Sequence, residues 1–166
     1  MDRAEVKILP PMVLAVVLSL QVLFATLLPG RILPGAPAIL VGLPVVLASI
    51  ALVALALREI RRAHTSFDVR KPTTAIVTTG AFGLTRNPVY LSMTLLVLGL
   101  GLMLNSPWSL LLTIPTGSAL CLTAIRQEEH YLEGKFGDAY RAYCNETPRW
   151  LSVRRLLGPL QPQTGP

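Results

Sequence analysis

The chain is 166 residues long, 52% hydrophobic and only 14% charged, with a mean hydropathy of +0.55. Soluble domains carry about 25% charged residues, so this composition excludes an ordinary soluble enzyme and points to lipid as the solvent. The length holds a handful of spanning helices of about 20 residues each and excludes a large transporter. A net charge of +6 and a pI near 9.9 leave nucleic acid, anionic lipid and membrane topology as explanations, which the positions of the charges separate. The two cysteines, Cys121 and Cys144, have no metal-ligand spacing.

Arg3 and Lys7 precede the first uncharged apolar run, Pro10 to Gly30. That run exceeds a secretory h-region and Ala25-Thr26-Leu27 is a poor cleavage site, so it reads as an uncleaved helix over 11–28. A second run from Ile32 to Leu57, interrupted early by Pro34, Gly35 and Pro37, predicts a helix over 38–57. After a polar connection over 58–88, Val89 to Ile125 is again uncharged and breaks at Asn105, Ser106 and Pro107, chemistry that suits a tight helical hairpin. Helices are expected over 89–104 and 108–125, with the Trp108 ring at an interface where its N–H reaches water. In the polar C-terminal segment, 126–166, Leu132, Phe136, Tyr140 and Tyr143 recur at helical spacing as one apolar stripe, which predicts short amphipathic helices. The fold class is therefore all-α: one polytopic membrane domain over 1–166, with about four transmembrane helices, the last two a hairpin.

Of the fifteen Lys and Arg residues, two precede the first helix and one, Arg31, lies in the first loop. Six lie in the 58–88 connection and six follow the fourth helix. Fourteen of fifteen thus share one side of an even-numbered topology, which the positive-inside rule makes cytoplasmic, together with both termini. All nine acids lie there too. Topology accounts for the basic excess, so nucleic acid is not an expected partner. No ionisable residue falls within a span, so no proton or ion pathway is expected.

Residues able to do chemistry are thereby collected in two segments, Arg58 to Pro88 and Arg126 to Trp150. Asn87 and Pro88 read as the N-cap and first position of the third helix. Taken singly, Arg86 and Tyr90 read as lipid anchors, and Thr79-Gly80 as turn chemistry whose N–H groups can meet an anion. Glu128, four residues before Leu132, belongs to the inward stripe, whereas Glu129 is turned about 100° away. A carboxylate on a buried face must be paired or used: either Arg126 or a basic residue of the other segment satisfies Glu128, or it holds a cationic ligand. His64 and His130 each stand alone, so no metal is expected. GxSxG, HExxH, P-loop and strand-borne GxGxxG patterns are absent from the sequence, and Gly99-Leu100-Gly101 reads as a close-packing helix surface.

The order of the pieces adds to this. Thr78-Thr79-Gly80-Ala81-Phe82, then Arg86-Asn87-Pro88-Val89-Tyr90-Leu91, an apolar hairpin, Glu128-Glu129, Leu132, Phe136-Gly137, Tyr140, Tyr143 and Pro148-Arg149-Trp150 together resemble the isoprenylcysteine carboxyl methyltransferase family and the wider group of small membrane methyltransferases that includes the phospholipid N-methyltransferases. The resemblance covers about Thr73 to Leu151, and the first two helices carry none of it. It implies an integral-membrane enzyme, in a bacterial inner membrane with its site facing the cytoplasm, that transfers a methyl group from S-adenosylmethionine to a lipid-tailed carboxylate or amine. By the same resemblance Arg86, Asn87, Pro88, Tyr90, Glu128 and Glu129 line the cofactor pocket, with Thr79, Gly80, Tyr140 and Arg149 as further candidates, and Arg86, Glu128 and Glu129 carry the catalytic role. An amine acceptor would need a base, for which Glu129 or His130 are the candidates. Relatives nearest the eukaryotic enzymes usually have His where this chain has Asn87, which weakens the transfer of a prenylcysteine substrate in particular. The rival expectations are an NADPH-dependent sterol-type membrane reductase, whose C-terminal half is similar, and a non-catalytic membrane scaffold.

Overall fold

A computed structural model of the chain describes residues 9–33, 37–65 and 73–151. Arg3, Lys7, the Pro34-Gly35 interruption, Arg70, Lys71, Arg154 and Arg155 lie outside the described residues. The fold is all-helical and polytopic. Helix α1 (Pro10–Leu27) starts on two prolines, whose fixed φ suits a first turn. Helix α2 (Ala38–Arg62) runs five residues past its apolar stretch, so Arg58, Glu59, Arg61 and Arg62 are its last turns and not part of a loop. A four-residue α3 (Ala81–Leu84) precedes α4 (Pro88–Met103).

The fourth apolar run is segmented. Helix α5 (Pro107–Leu111) is capped by Ser106, which accepts from the Ser109 N–H. Pro115 has no N–H to give the Leu111 carbonyl, and the chain loosens at Leu112 before α6 (Thr113–Leu120). A π-helical turn (Cys121–Ile125) then joins α7 (Arg126–Phe136) without a break. Pro107 to Phe136 is thus one apolar rod of 30 residues whose far end is polar. Gly137, at φ 55°, ends it and starts α8 (Asp138–Glu146). The expected apolar stripe is divided at that glycine, with Leu132 and Phe136 on α7 and Tyr140 and Tyr143 on α8.

Three rods, Pro10–Leu27, Ala38–Arg62 and Pro107–Phe136, are long and apolar enough to cross a membrane, and Pro88–Met103 is a shorter apolar helix. Their outer faces are greasy: Leu40 is 67% exposed and Ile114 71%, which water would not tolerate over so large an area. Inside, the driving force between helices in lipid is close packing and hydrogen bonding, and both are present. The most extensive contact is α2 against α4. There a Cβ added at Gly42 would fall 2.5 Å from the Gly99 carbonyl oxygen and 2.7 Å from the Met103 nitrogen, so only glycine lets the two backbones meet. Ser49 on α2 donates to the Ser92 carbonyl of α4 at 2.8 Å.

Helix α1 is held by one polar side chain. Gln21, 1% exposed, donates from Nε2 to the Val97 carbonyl at 2.7 Å and to that of Ser109 at 3.1 Å, while Ser109 Oγ returns a bond to the Gln21 carbonyl at 2.8 Å. Gly101 leaves the room, since its missing Cβ would lie 3.1 Å from Gln21 Nε2. At the opposite end Asn105, at φ 52°, turns the hairpin, and its Oδ1 accepts from the Ile32 and Leu33 N–H groups. Trp108 gives its Nε1–H to the Pro29 carbonyl at 3.1 Å, a protein partner where water was expected.

Gly42→Leu is expected to lower the thermal midpoint of the detergent-purified protein, because overpacking costs about 1–3 kcal/mol. Gly134→Ala, where a Cβ meets no atom within 4 Å, is expected to hold the midpoint or raise it, with a gain in stability of at most about 1 kcal/mol. Unfolding followed by circular dichroism in one detergent compares the two.

Candidate active site

The segment before α4 is fixed at both ends. At its start Gly80 has φ 57°, a region that favours glycine, and a Cβ there would lie 2.8 Å from Glu59 Cγ at the end of α2. Thr79 Oγ1 donates to Glu59 Oε2 at 2.8 Å. At its end residues 85–87 clasp the chain beyond α8. The Arg86 N–H donates to the Pro148 carbonyl at 2.9 Å, and Thr85 Oγ1 and Asn87 Nδ2 both donate to the Arg149 carbonyl, at 2.9 and 3.1 Å. Asn87 occupies the N-cap position but makes no side-chain cap; its amide is used to hold the C-terminal segment.

The rod from Pro107 supplies the facing wall. Leu120, Ala124 and Ile125 are buried, and both Glu128 and Glu129 follow Ala124 and Ile125 by three to five residues, so both extend the inward stripe. The expectation that Glu129 turns away is corrected: its side chain is 15% exposed and faces inward with Glu128. The stripe is wider than Leu132 alone suggested.

The two carboxylates have different partners. Glu129 sits between two guanidiniums: Arg149 donates from Nε to Oε1 at 3.0 Å and from Nη2 to Oε2 at 2.5 Å, and Arg86 Nη1 lies 3.4 Å from Oε1. The Glu129 hydrogen bond raises the Arg149 pKa above its ordinary range. Glu128 accepts from the Tyr90 hydroxyl at 2.9 Å and has no cation partner among the described residues. Arg126 is not that partner, contrary to one of the two sequence readings. Arg86 also donates to Cys144 Sγ, yet its buried Nε has no hydrogen-bond partner among the described residues. Burial, reinforced by the nearby Cys144 and Glu129, pushes the Tyr140 phenol well above its usual range, so it remains neutral at physiological pH.

These groups line one cavity of about 400 Å³, within the usual range for small-molecule sites. Seven of the ten candidate residues, Arg86, Asn87, Pro88, Tyr90, Glu128, Glu129 and Tyr140, are on its wall. Thr79, Gly80 and Arg149 are not: the first two are tied to Glu59, and the third stands behind Glu129. Arg86 and Tyr90 face the protein interior and not the lipid. Four further wall residues were not among the candidates from the sequence. Tyr143 lines the cavity and donates to the Phe82 carbonyl at 2.8 Å; its place in the aromatic stripe was the available signal. Pro10 and Pro11 bring α1, and Ile60 brings α2, to the same wall, with no sequence mark to announce it. Among the described residues no group of His, Cys, Asp or Glu is arranged to hold a metal ion.

A family model described as phospholipid methyltransferase matches residues 37–139. No curated protein matches the chain. The match takes in α2, which carried none of the resemblance read from motifs, and stops before Tyr140 and Arg149. Spanning more than half of the chain, it shows that the protein belongs to the phospholipid methyltransferase family and is a membrane methyltransferase.

Glu129→Gln is expected to cost about 1–3 kcal/mol of stability, because it leaves two partly buried guanidiniums without a counter-charge. Arg149→Lys, which keeps the charge and loses the paired N–H geometry, is expected to cost less. Thermal midpoints of the two variants in the same detergent check the order.

Proposed function

We propose that the cavity binds S-adenosylmethionine and that its methyl group is transferred to the polar head of a lipid. The reading is carried by one observation: the wall sets a carboxyl group without a cation partner apart from a guanidinium. Glu128, bonded to the Tyr90 hydroxyl, has no cation partner among the described residues, while Arg86 stands on the wall beside Glu129, which Arg149 holds from behind. A zwitterionic amino acid moiety with an added sulfonium has the complementary pattern. Glu128 would face the cationic centres, and Arg86 would meet the carboxylate through a charge-assisted hydrogen bond. The chemistry of the donor set therefore fits the cofactor, with Ile60, Val77 and Met93 giving apolar surface.

The cofactor supplies an electrophilic methyl group on a sulfonium, and displacement there leaves a neutral thioether. The chain's own work is alignment and exclusion of water. Glu128, fixed by the Tyr90 hydroxyl, holds positive charge near the reacting centre, and Tyr140 stays a neutral wall. The family's name supports a phospholipid acceptor, whose amine must lose a proton before or during transfer. Glu129 is engaged by two arginines and His130 is exposed outside the cavity wall, so Glu128 takes over as the candidate proton acceptor. On the even-numbered topology expected from the sequence, fourteen of fifteen basic residues share one side, which supports a cytoplasm-facing site. The family match favours methyl transfer over hydride transfer or a scaffold role.

Glu128→Gln keeps an acceptor for Tyr90 but removes the charge. It is expected to weaken S-adenosylmethionine binding at least tenfold, about 1.4 kcal/mol, with the fold intact by circular dichroism; Thr79→Ala is expected to bind normally. Calorimetry on purified protein reads both, and equal affinity for Glu128→Gln and the parent would refute the pocket assignment. Membranes carrying the protein, incubated with methyl-labelled cofactor and extracted, are expected to yield labelled lipid by mass spectrometry.

A further inference from the structure

A second concavity lies one helical turn further along α4, at Thr94, and nothing above uses it. Its floor is made of small side chains, Thr94 of α4 with Gly117 and Cys121 of the rod, and Ile114 and Leu122 wall it. At Gly117 an added Cβ would meet Thr94 at 3.8 Å, ordinary contact distance, so the absent side chain leaves the floor shallow where the rod meets α4. At its polar end stand Arg126 and Trp150. The groove is open to the outside and holds about 470 Å³.

We propose that this groove binds one anionic phospholipid, with the phosphate on Arg126 and an acyl chain lying toward Ile114. The walls, the charge at one end and the length between them agree. The walls are apolar and outward-facing in a membrane-spanning rod, with Leu122 57% exposed and Ile114 71%. Arg126 is the first charge after the apolar run, is exposed, and has no acidic partner among the described residues. From Ile114 to Arg126 the rod advances about 18 Å at about 1.5 Å per residue, close to one leaflet of a core about 30 Å thick. A lone cation at the lipid surface above a chain-wide groove complements a phosphodiester above an acyl tail, and the Trp150 indole suits the head-group level. This lipid is distinct from the methyl acceptor and the proposal does not depend on the transferase reading.

Native mass spectrometry of the full chain in detergent, with phosphatidylglycerol or phosphatidylcholine added, tests it. The parent protein is expected to retain one phosphatidylglycerol in preference to phosphatidylcholine. Arg126→Ala is expected to lower that retention about fivefold, the value of roughly 1 kcal/mol per basic residue at a lipid surface. Gly117→Leu, which fills the floor from within, is expected to lower retention of both lipids while cofactor affinity stays unchanged. Equal retention of the two lipids by the parent, or unchanged retention in both variants, overturns the proposal. So does disulfide cross-linking of Ser118→Cys copies to each other, which would assign the groove to a second chain.

Discussion

The carboxylate of Glu129 is the point at which the water-facing parts of this protein are joined. It reaches from the end of the last spanning rod to Arg86, just before α4, and to Arg149, beyond α8. Three stretches distant in sequence are brought within one ion-paired cluster, and the backbone clasp of residues 85–87 on Pro148 and Arg149 sets their register. Both guanidiniums are engaged on Glu129. Because both are engaged, Glu128 is left as the carboxylate that faces the cavity without a cation among the described residues.

The membrane part solves a different problem. Lipid offers no hydrophobic gain for bringing helices together, so contact has to come from shape and from polar groups that find each other. Gly42 and Gly99 let α2 and α4 touch along their backbones, and Gln21 secures α1 with two carbonyls of two other helices. The result fixes α4, whose first turn carries Tyr90 and follows directly on Arg86. The precision of the polar site is inherited from packing deeper in the bundle.

What could be read from the sequence follows from how local each signal is. The hairpin at Asn105 to Pro107 and the close-packing role of Gly99 and Gly101 are stated by short patterns with one physical meaning, and the all-helical membrane fold follows from composition. The extent of α2 was not legible, because its last turn is charged and apolar periodicity stops at Leu57. Asn87 looked like a cap on its own, and only the tertiary clasp on Arg149 shows its amide turned elsewhere. Glu129 was misplaced because one apolar residue, Leu132, was used to define a stripe that Ala124 and Ile125 widen from the other side. The approach of Pro10, Pro11 and Ile60 to the cavity depends on helix arrangement, which no single segment encodes.

The π-helical turn at Cys121–Ile125 sits between the lipid-facing half of the rod and its polar half, and it changes the angular phase between them. In a regular α-helix, sliding or rotating the lower half would carry Glu128 and Glu129 along by the same angle. The wider turn resets that angle once, and Ala124 and Ile125 within it are buried, so the carboxylates one turn on leave the junction already aimed at the interior.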